Sequence, residues 1–222
     1  MKLFVVIPIY NEESRVEKII KEVLKLSNNG IILIDDGSSD NSWTILKNNF
    51  KSNKRVCLLR HKINLGKGAA MRTGVDKALS LGADSVIFID SDGQHRPKQI
   101  NEFAKLLETN DLVFGFRELD KNMPMLRKIG NVLVGQIVSI LFNVKRKDTL
   151  CGFWGFNKNI YNSIGWKSDR YGVETEVSTL VGKNNLSFAE IKIDTIYVNK
   201  YTGLQMFDAI KIMLNIPKWY FK

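Results

Sequence analysis

Residues 87–97 read IFIDSDGQHRP. An apolar run ends in Asp90 and Asp92, and Gln94 follows at the same spacing. In extended chain, residues i and i+2 face the same way, so the two carboxylates can aim at one point. Paired carboxylate oxygens in an open loop suit Mg²⁺ or Mn²⁺, and such sites leave coordination positions for water and substrate phosphates. Gln94 continues the alternation and offers an amide oxygen to the same metal. Asp-x-Asp next to a glycine is also what an ordinary solvated turn looks like.

Other loops carry compatible chemistry. IDDGSSD places Asp35 and Asp36 at the end of an apolar run. A carboxylate there can accept a hydrogen bond from a nucleobase N–H or a ribose hydroxyl, or serve a helix-starting turn, as Ser39 and Asp40 can. IPIYNEE supplies Tyr10 as a stacking face and Glu12 as an acceptor. NLGKGAAMRTG opens a helical pattern with glycines and Lys67, an arrangement suited to a phosphate or a close backbone approach. The spacing is not that of a P-loop, and no Gly-x-Gly-x-x-Gly follows the first apolar run, which disfavours a dinucleotide fold.

These loops need elements to hold them. LFVVIPI, GIILIDD, RVCLLR, DSVIFID and DLVFGF read as short buried strands, with helical patterns over 12–26, 39–50, 66–81 and 97–109. Strand–helix alternation with continuously apolar strands implies an α/β fold, a mainly parallel central sheet flanked by helices. Ligands of such sheets sit beyond the carboxyl ends of the strands, where the polar clusters fall. The spacing further predicts a long amphipathic helix over 123–144, a helix over 173–184, a strand at FAEIKIDTIYV and a terminal helix stopped by Pro217. The 222 residues, 44% hydrophobic, suit one domain with a small appendage. Two cysteines, with Cys57 in an apparent strand, point to a reducing, cytosolic setting. A net charge of +10 points to an anionic partner. The basic residues are dispersed apart from Lys145-Arg146-Lys147, which argues against nucleic acid.

Taken together and in order, IPIYNEE, IDDGSSDNS, NLGKGAAMRTG, DSDGQH, GFR and DTLCGF resemble the motif set of the family 2 glycosyltransferases, most of all the dolichyl- or polyprenyl-phosphate mannose and glucose synthases. The likeness covers residues 1–156 closely and YGVETEV…EIKIDTIYV more loosely. It implies the Rossmann-like glycosyltransferase-A fold and a metal-dependent, inverting transfer of a hexose from a GDP- or UDP-sugar to dolichyl or polyprenyl monophosphate. It implies a nucleoside pocket of Pro8, Tyr10, Glu12, Ile34 and Asp36, with Asp90 and Ser91 on ribose and diphosphate. Asp92, with Gln94 and Asp90, would hold Mg²⁺ or Mn²⁺, and Arg117 would face the phosphates beside Lys67. Arg127 and Asn131 would meet the lipid phosphate, and Asp148 is the carboxylate on the acceptor side. The alternative is a family 2 enzyme acting on a sugar hydroxyl, with Asp148, Glu174 or Glu176 as base. Departures are Ser-Asp-Gly-Gln for the commoner Ala-Asp-Leu-Gln, and only Lys200 after the last strand.

The expected organisation is a catalytic domain over 1–202 and an amphipathic helix and tail over 203–222. Aromatic rings between Lys218 and Lys222 suit a headgroup layer. The protein is therefore expected at the cytoplasmic face of a membrane as a peripheral partner, its oligomeric state unread.

Overall fold

The computed structural model describes residues 1–118, 125–170, 172–194 and 206–221, without the side chains of 126, 127 and 206–212. The expectations for the side chain of Arg127, for Lys200 and for the strand beyond Asp194 lie outside the described residues.

Seven strands form one sheet in the order β3-β2-β1-β4-β6-β5-β7. They are β1 (Leu3–Ile9), β2 (Gly30–Asp35), β3 (Val56–Arg60), β4 (Ser85–Phe88), β5 (Leu112–Phe116), β6 (Trp154–Asn157) and β7 (Ala189–Lys192). Strands β1 to β4 pair in parallel, β5 pairs in parallel with β7, and β6 runs antiparallel between β4 and β5. The helices are α1 (Val16–Leu26), α2 (Ser42–Phe50), α3 (Lys67–Ser80), α4 (Ile100–Leu106), α5 (Met125–Phe142), α6 (Tyr161–Ile164), α7 (Val173–Lys183) and α8 (Met206–Tyr220).

The continuous apolar strands are explained by cover on both faces. Val5, Ile7, Ile31, Leu33 and Ile87 pack against Ile20, Leu46 and Phe103 of α1, α2 and α4. Their neighbours Val6, Ile32, Ile34 and Phe88 pack on the other face with Met71, Val75, Val138 and Val177 of α3, α5 and α7. Helix α1 buries Val16, Ile19, Ile20 and Val23, the i, i+3, i+4, i+7 stripe of a surface helix.

Some boundaries differ from the sequence reading. Helix α2 starts at Ser42 because Asp40 is a turn residue, accepting the N–H of Ser42 at 2.9 Å and of Glu13 at 3.0 Å. Strand β6 was not anticipated: TLCGFWGFN alternates too weakly to show a strand, and it forms because β4 and β5 present open edges to it. Cys57 is only half-buried, since β3 is an edge strand. Pro217 does not stop the last helix but lies inside α8, within the final turn. Ile216 joins the main core, and Met213 and Trp219 pack against it.

The sheet places a crevice. β1 pairs with β2 as far as Ile9 and Asp35, but its register with β4 ends at Val6 and Phe88. Pro8 lies just beyond and has no N–H to continue a ladder. Strands β2 and β3 leave to one side of β1 and β4 to the other, so the carboxyl ends of β1 and β4 form a topological switch point.

Candidate active site

Asp90 and Asp92 follow β4 directly into this crevice. Lys67, the first residue of α3, places Nζ 2.7 Å from Asp90 Oδ1 and 2.7 Å from Glu174 Oε1. A Cβ at Gly152, in the DTLCGF stretch, would collide with Asp90 Oδ2 and Lys67 Nζ, so this close approach requires a glycine. Lys67 was expected on a substrate phosphate; its ammonium is instead committed to two carboxylates. Burial opposes its charge, but Asp90 and Glu174 more than offset that and raise its pKa.

The two aspartates differ. Burial pushes the Asp90 carboxyl up, yet the Lys67 charge, followed by His95, holds it below the usual range. Asp92 is raised, first by burial and then by the negative charge of Asp90. Gly93, at φ +77°, turns the chain so that Gln94 comes back onto Asp92. The Gln94 backbone N–H donates to Asp92 Oδ1 at 3.0 Å and its side-chain amide nitrogen to Oδ2 at 2.7 Å. The expected amide-oxygen ligand is thus placed as a donor that orients Asp92.

His95, named in the sequence but given no role, is buried, with Nδ1 4.0 Å from Asp90 Oδ2 and its ring 5.4 Å from that of Phe153. Burial lowers its pKa against the pull of Asp90 and Asp92, so it is neutral at pH 7. Among the described residues, Lys67 is the cation paired with Asp90 and Glu174, and the Arg117 charge also acts on Asp90. Among the described residues no three His, Cys, Asp or Glu side chains are gathered as a closed metal cage. What Asp90 and Asp92 offer is an open carboxylate pair with surplus negative charge, and a hard divalent cation fits that chemistry.

At the end of β5, Arg117 clasps Asp148, Nε to Oδ2 at 2.6 Å and Nη2 to Oδ1 at 3.0 Å. Asp148 also accepts from Asn131 Nδ2 at 2.8 Å and from the backbone of Leu150 at 3.0 Å and Arg117 at 3.2 Å. Burial would raise its pKa, but Arg117 holds it low. Glu176 accepts the backbone N–H groups of Lys167 and Ser168 at 3.0 and 2.8 Å.

On the other side of the crevice, Tyr10 is exposed at the end of β1. Ser91 Oγ donates to the Pro8 carbonyl at 2.9 Å, tying the β4 loop to β1. Glu12 pairs with Arg15 at 3.1 Å, and burial raises its pKa despite that partner. Two expectations are corrected here. Ile34 is fully buried in the α3-side core instead of lining a pocket. Asp36 is turned inward, with Oδ1 2.6 Å from His61 Nδ1 and 3.0 Å from the Leu65 N–H, and Oδ2 2.7 Å from the Gly66 N–H. It shapes the loop into α3. Its neighbour Asp35, on the opposite sheet face, bonds Arg60 Nε through Oδ2 at 2.9 Å, while its buried Oδ1 has no partner.

Residues 4–165 match the model described as glycosyl transferase family 2. The chain belongs to glycosyl transferase family 2. The UDP-N-acetylglucosamine–dolichyl-phosphate N-acetylglucosaminyltransferase of Methanococcus voltae is 30% identical over 238 residues, spanning 98% of this chain and 93% of that protein. The dolichol-phosphate mannosyltransferase of Pyrococcus furiosus is 27% identical over 243 residues, 99% of this chain and 64% of that protein. The glucosyl-3-phosphoglycerate synthase of Mycobacterium tuberculosis, solved with Mn²⁺, UDP and phosphoglyceric acid, superposes with a TM-score of 0.76 at 17% identity, covering 99% of this chain and 78% of that one. That likeness speaks to the fold, the expected glycosyltransferase-A type.

In this glycosyltransferase the structure brings together Pro8, Tyr10, Glu12, Lys67, Asp90, Ser91, Asp92 and Gln94 around the β1–β4 crevice, with Arg117, Asn131 and Asp148 forming a second cluster beyond β5. It also sets His95 beside Asp90 and Glu174 against Lys67. The side chain of Arg127 lies outside the described residues. Glu174 was expected as an alternative base; its pairing with Lys67 carried no local signal, because the lysine lies 107 positions away.

Proposed function

We propose that the glycosyltransferase moves a hexose-type sugar from a UDP- or GDP-sugar to dolichyl or polyprenyl monophosphate at the cytoplasmic face of a membrane. The observation that carries the acceptor class is the state of the carboxylates. A sugar hydroxyl needs a base, yet Asp148, Glu174 and Glu176 are each committed to donors. A phosphate monoester has a second pKa of about 6, so at neutral pH it is already a nucleophile. One of its oxygens forms the bond to the anomeric carbon as the bond to the nucleoside diphosphate breaks, with inversion.

The chain's residues then bind and orient. Tyr10 stacks on the base, and Asp36 fixes the loop that frames it. Lys67 holds Asp90 ionised, Glu174 holds Lys67 in place and charged, and Gln94 aims Asp92. Arg117, presented by Asp148, faces phosphate, with Asn131 beside it. Asp90 and Asp92 would hold Mg²⁺ or Mn²⁺, which when bound neutralises charge on the diphosphate leaving group. Among the described residues no helix is long and apolar enough to cross a membrane. Met125, Ile129, Val132, Leu133 and Ile140 make an exposed apolar strip on α5, and Leu214, Tyr220 and Phe221 are exposed at α8, which packs on α5. These surfaces support a peripheral contact with lipid.

The test is nucleoside diphosphate release with a panel of UDP- and GDP-sugars. The panel must include N-acetylglucosamine, glucose and mannose, the sugars for which relatives are named. Release is expected with a short polyprenyl phosphate and not with an oligosaccharide. The reverse preference would sink the reading.

The raised pKa of Asp92 gives a second expectation. Stabilisation by Mn²⁺, read as the rise in Tm, should be large at neutral pH. It should shrink as pH falls through the raised Asp92 value towards 3.8, because protons displace the cation. An increment that does not change with pH would argue against Asp92 as a ligand.

A further inference from the structure

Among the described residues, those with a positive φ other than glycine are Asn11 at +54°, Asn143 at +52° and Asn185 at +49°. Asn143 follows the last residue of α5, and Asn185 lies just past α7, the ordinary place for a left-handed residue that ends a helix. Asn11 ends no helix. It stands just past β1, between Tyr10 and Glu12, at the mouth of the crevice. A left-handed residue with a side chain costs free energy and persists where its surroundings fix it, a situation typical of ligand-binding loops. Asparagine is among the residues that tolerate it best.

The groups that fix Asn11 come from the loop between β2 and α2. Its N–H donates to Ser38 Oγ at 3.0 Å, and its side-chain oxygen accepts the Ser39 N–H at 2.9 Å and the Ser39 hydroxyl at 3.3 Å. Ser38 is itself buried. One step along the chain, the Glu12 N–H donates to Ser42 Oγ at 2.8 Å. On the other side of Tyr10, the Ile9 carbonyl accepts the Asp36 N–H at 2.8 Å. The backbone is therefore tied to the β2 side both before and after Tyr10, while Tyr10 itself stays 47% exposed.

We infer that Asn11 is a positioning residue for nucleoside recognition: its left-handed turn and its bonds to Ser38 and Ser39 aim the Tyr10 ring at the base. The inference rests on the proposed stacking of Tyr10. Its physical reason is preorganisation, since a ring held in place before binding spares the ordering cost when the base arrives. The turn and the amide contribute separately. Glycine at this position would supply the turn without the tie, and aspartate would supply both.

The test uses the full chain, with UDP and GDP titrated by calorimetry in the presence of Mn²⁺. Asn11→Gly is expected to weaken binding of the nucleotide that the wild type takes by about ten-fold, the scale of one lost base–aromatic stack, and to raise KM for its sugar with kcat retained. Asn11→Asp should bind as the wild type does. In a Tyr10→Ala background Asn11→Gly should add no further loss, because the ring it aims is gone. A residue that only supports the fold would lower Tm and affinity alike in both backgrounds. If Asn11→Gly fails to fold, Ser38→Ala, which removes the other tie, decides by the same cycle. Binding unchanged by the variant, an equal loss in both backgrounds, or a fall in kcat at constant KM overturns the role of Asn11 and leaves the proposed transfer standing. A wild type that binds neither nucleotide, or that binds as well after Tyr10→Ala, overturns the nucleoside reading and this inference with it.

Discussion

Asp92→Asn is expected to lower kcat/KM for sugar transfer by about 10³-fold, the scale of losing one charge aimed at the reacting group. The metal-free variant should nonetheless be as stable as the wild type at neutral pH, or more so. Asp92 has its pKa raised in the folded state by burial and by Asp90. Such a carboxyl favours folding below 3.8, its ordinary value, and that contribution is lost as pH rises through the folded value. At pH 7 the ionised Asp92 therefore works against the fold, and an amide removes the repulsion. Gln94 can still bond the new side chain through its two N–H groups only to the amide oxygen, which limits the gain. The variant should also lose the Tm rise given by Mn²⁺. Full transfer activity, or an undiminished Mn²⁺ shift, would remove Asp92 from the centre of the reaction.

Asp148→Ala should have the larger effect on stability. The carboxylate is fully buried and accepts five hydrogen bonds from Arg117, Asn131 and Leu150. Its removal takes the clasping carboxylate from the mostly covered Arg117 charge and the acceptor from the buried Asn131 amide, at a cost of about 3–5 kcal/mol. In a chain of this size that is a fall in Tm on the order of 10 °C. The folded pKa of Asp148 is lowered. Its contribution is thus present above the unfolded value of 3.8 and lost as pH falls through the folded one, so the gap between variant and wild type should narrow in acid. A double-mutant cycle with Arg117→Met separates the pair from the packing, and a coupling below about 0.5 kcal/mol would show that the clasp contributes little. Asp148→Asn keeps the shape and should retain part of the activity, because the residue positions Arg117 and does not take a proton. Loss to background in a folded Asp148→Asn would instead favour a base and a hydroxyl acceptor.

Local spacing determined much of this protein. Continuously apolar runs required a sheet covered by helices on both faces, and the i, i+2 relation of Asp90 and Asp92 required that they share a side. Six ordered motifs were enough to point to the family. What spacing could not determine is which distant group claims each side chain. Asp36 looked like a base acceptor until the loop from His61 to Gly66 closed over it. Lys67 looked like a phosphate ligand until α7 brought Glu174 against it. Asp148 looked free to act as a base until Arg117 and Asn131 converged on it from β5 and α5. Strand β6 had no pattern of its own and needed two waiting edges. A charged group's role is set by what neutralises it once water is excluded, and those neighbours are chosen by the tertiary fold, not by the residues beside it in the chain.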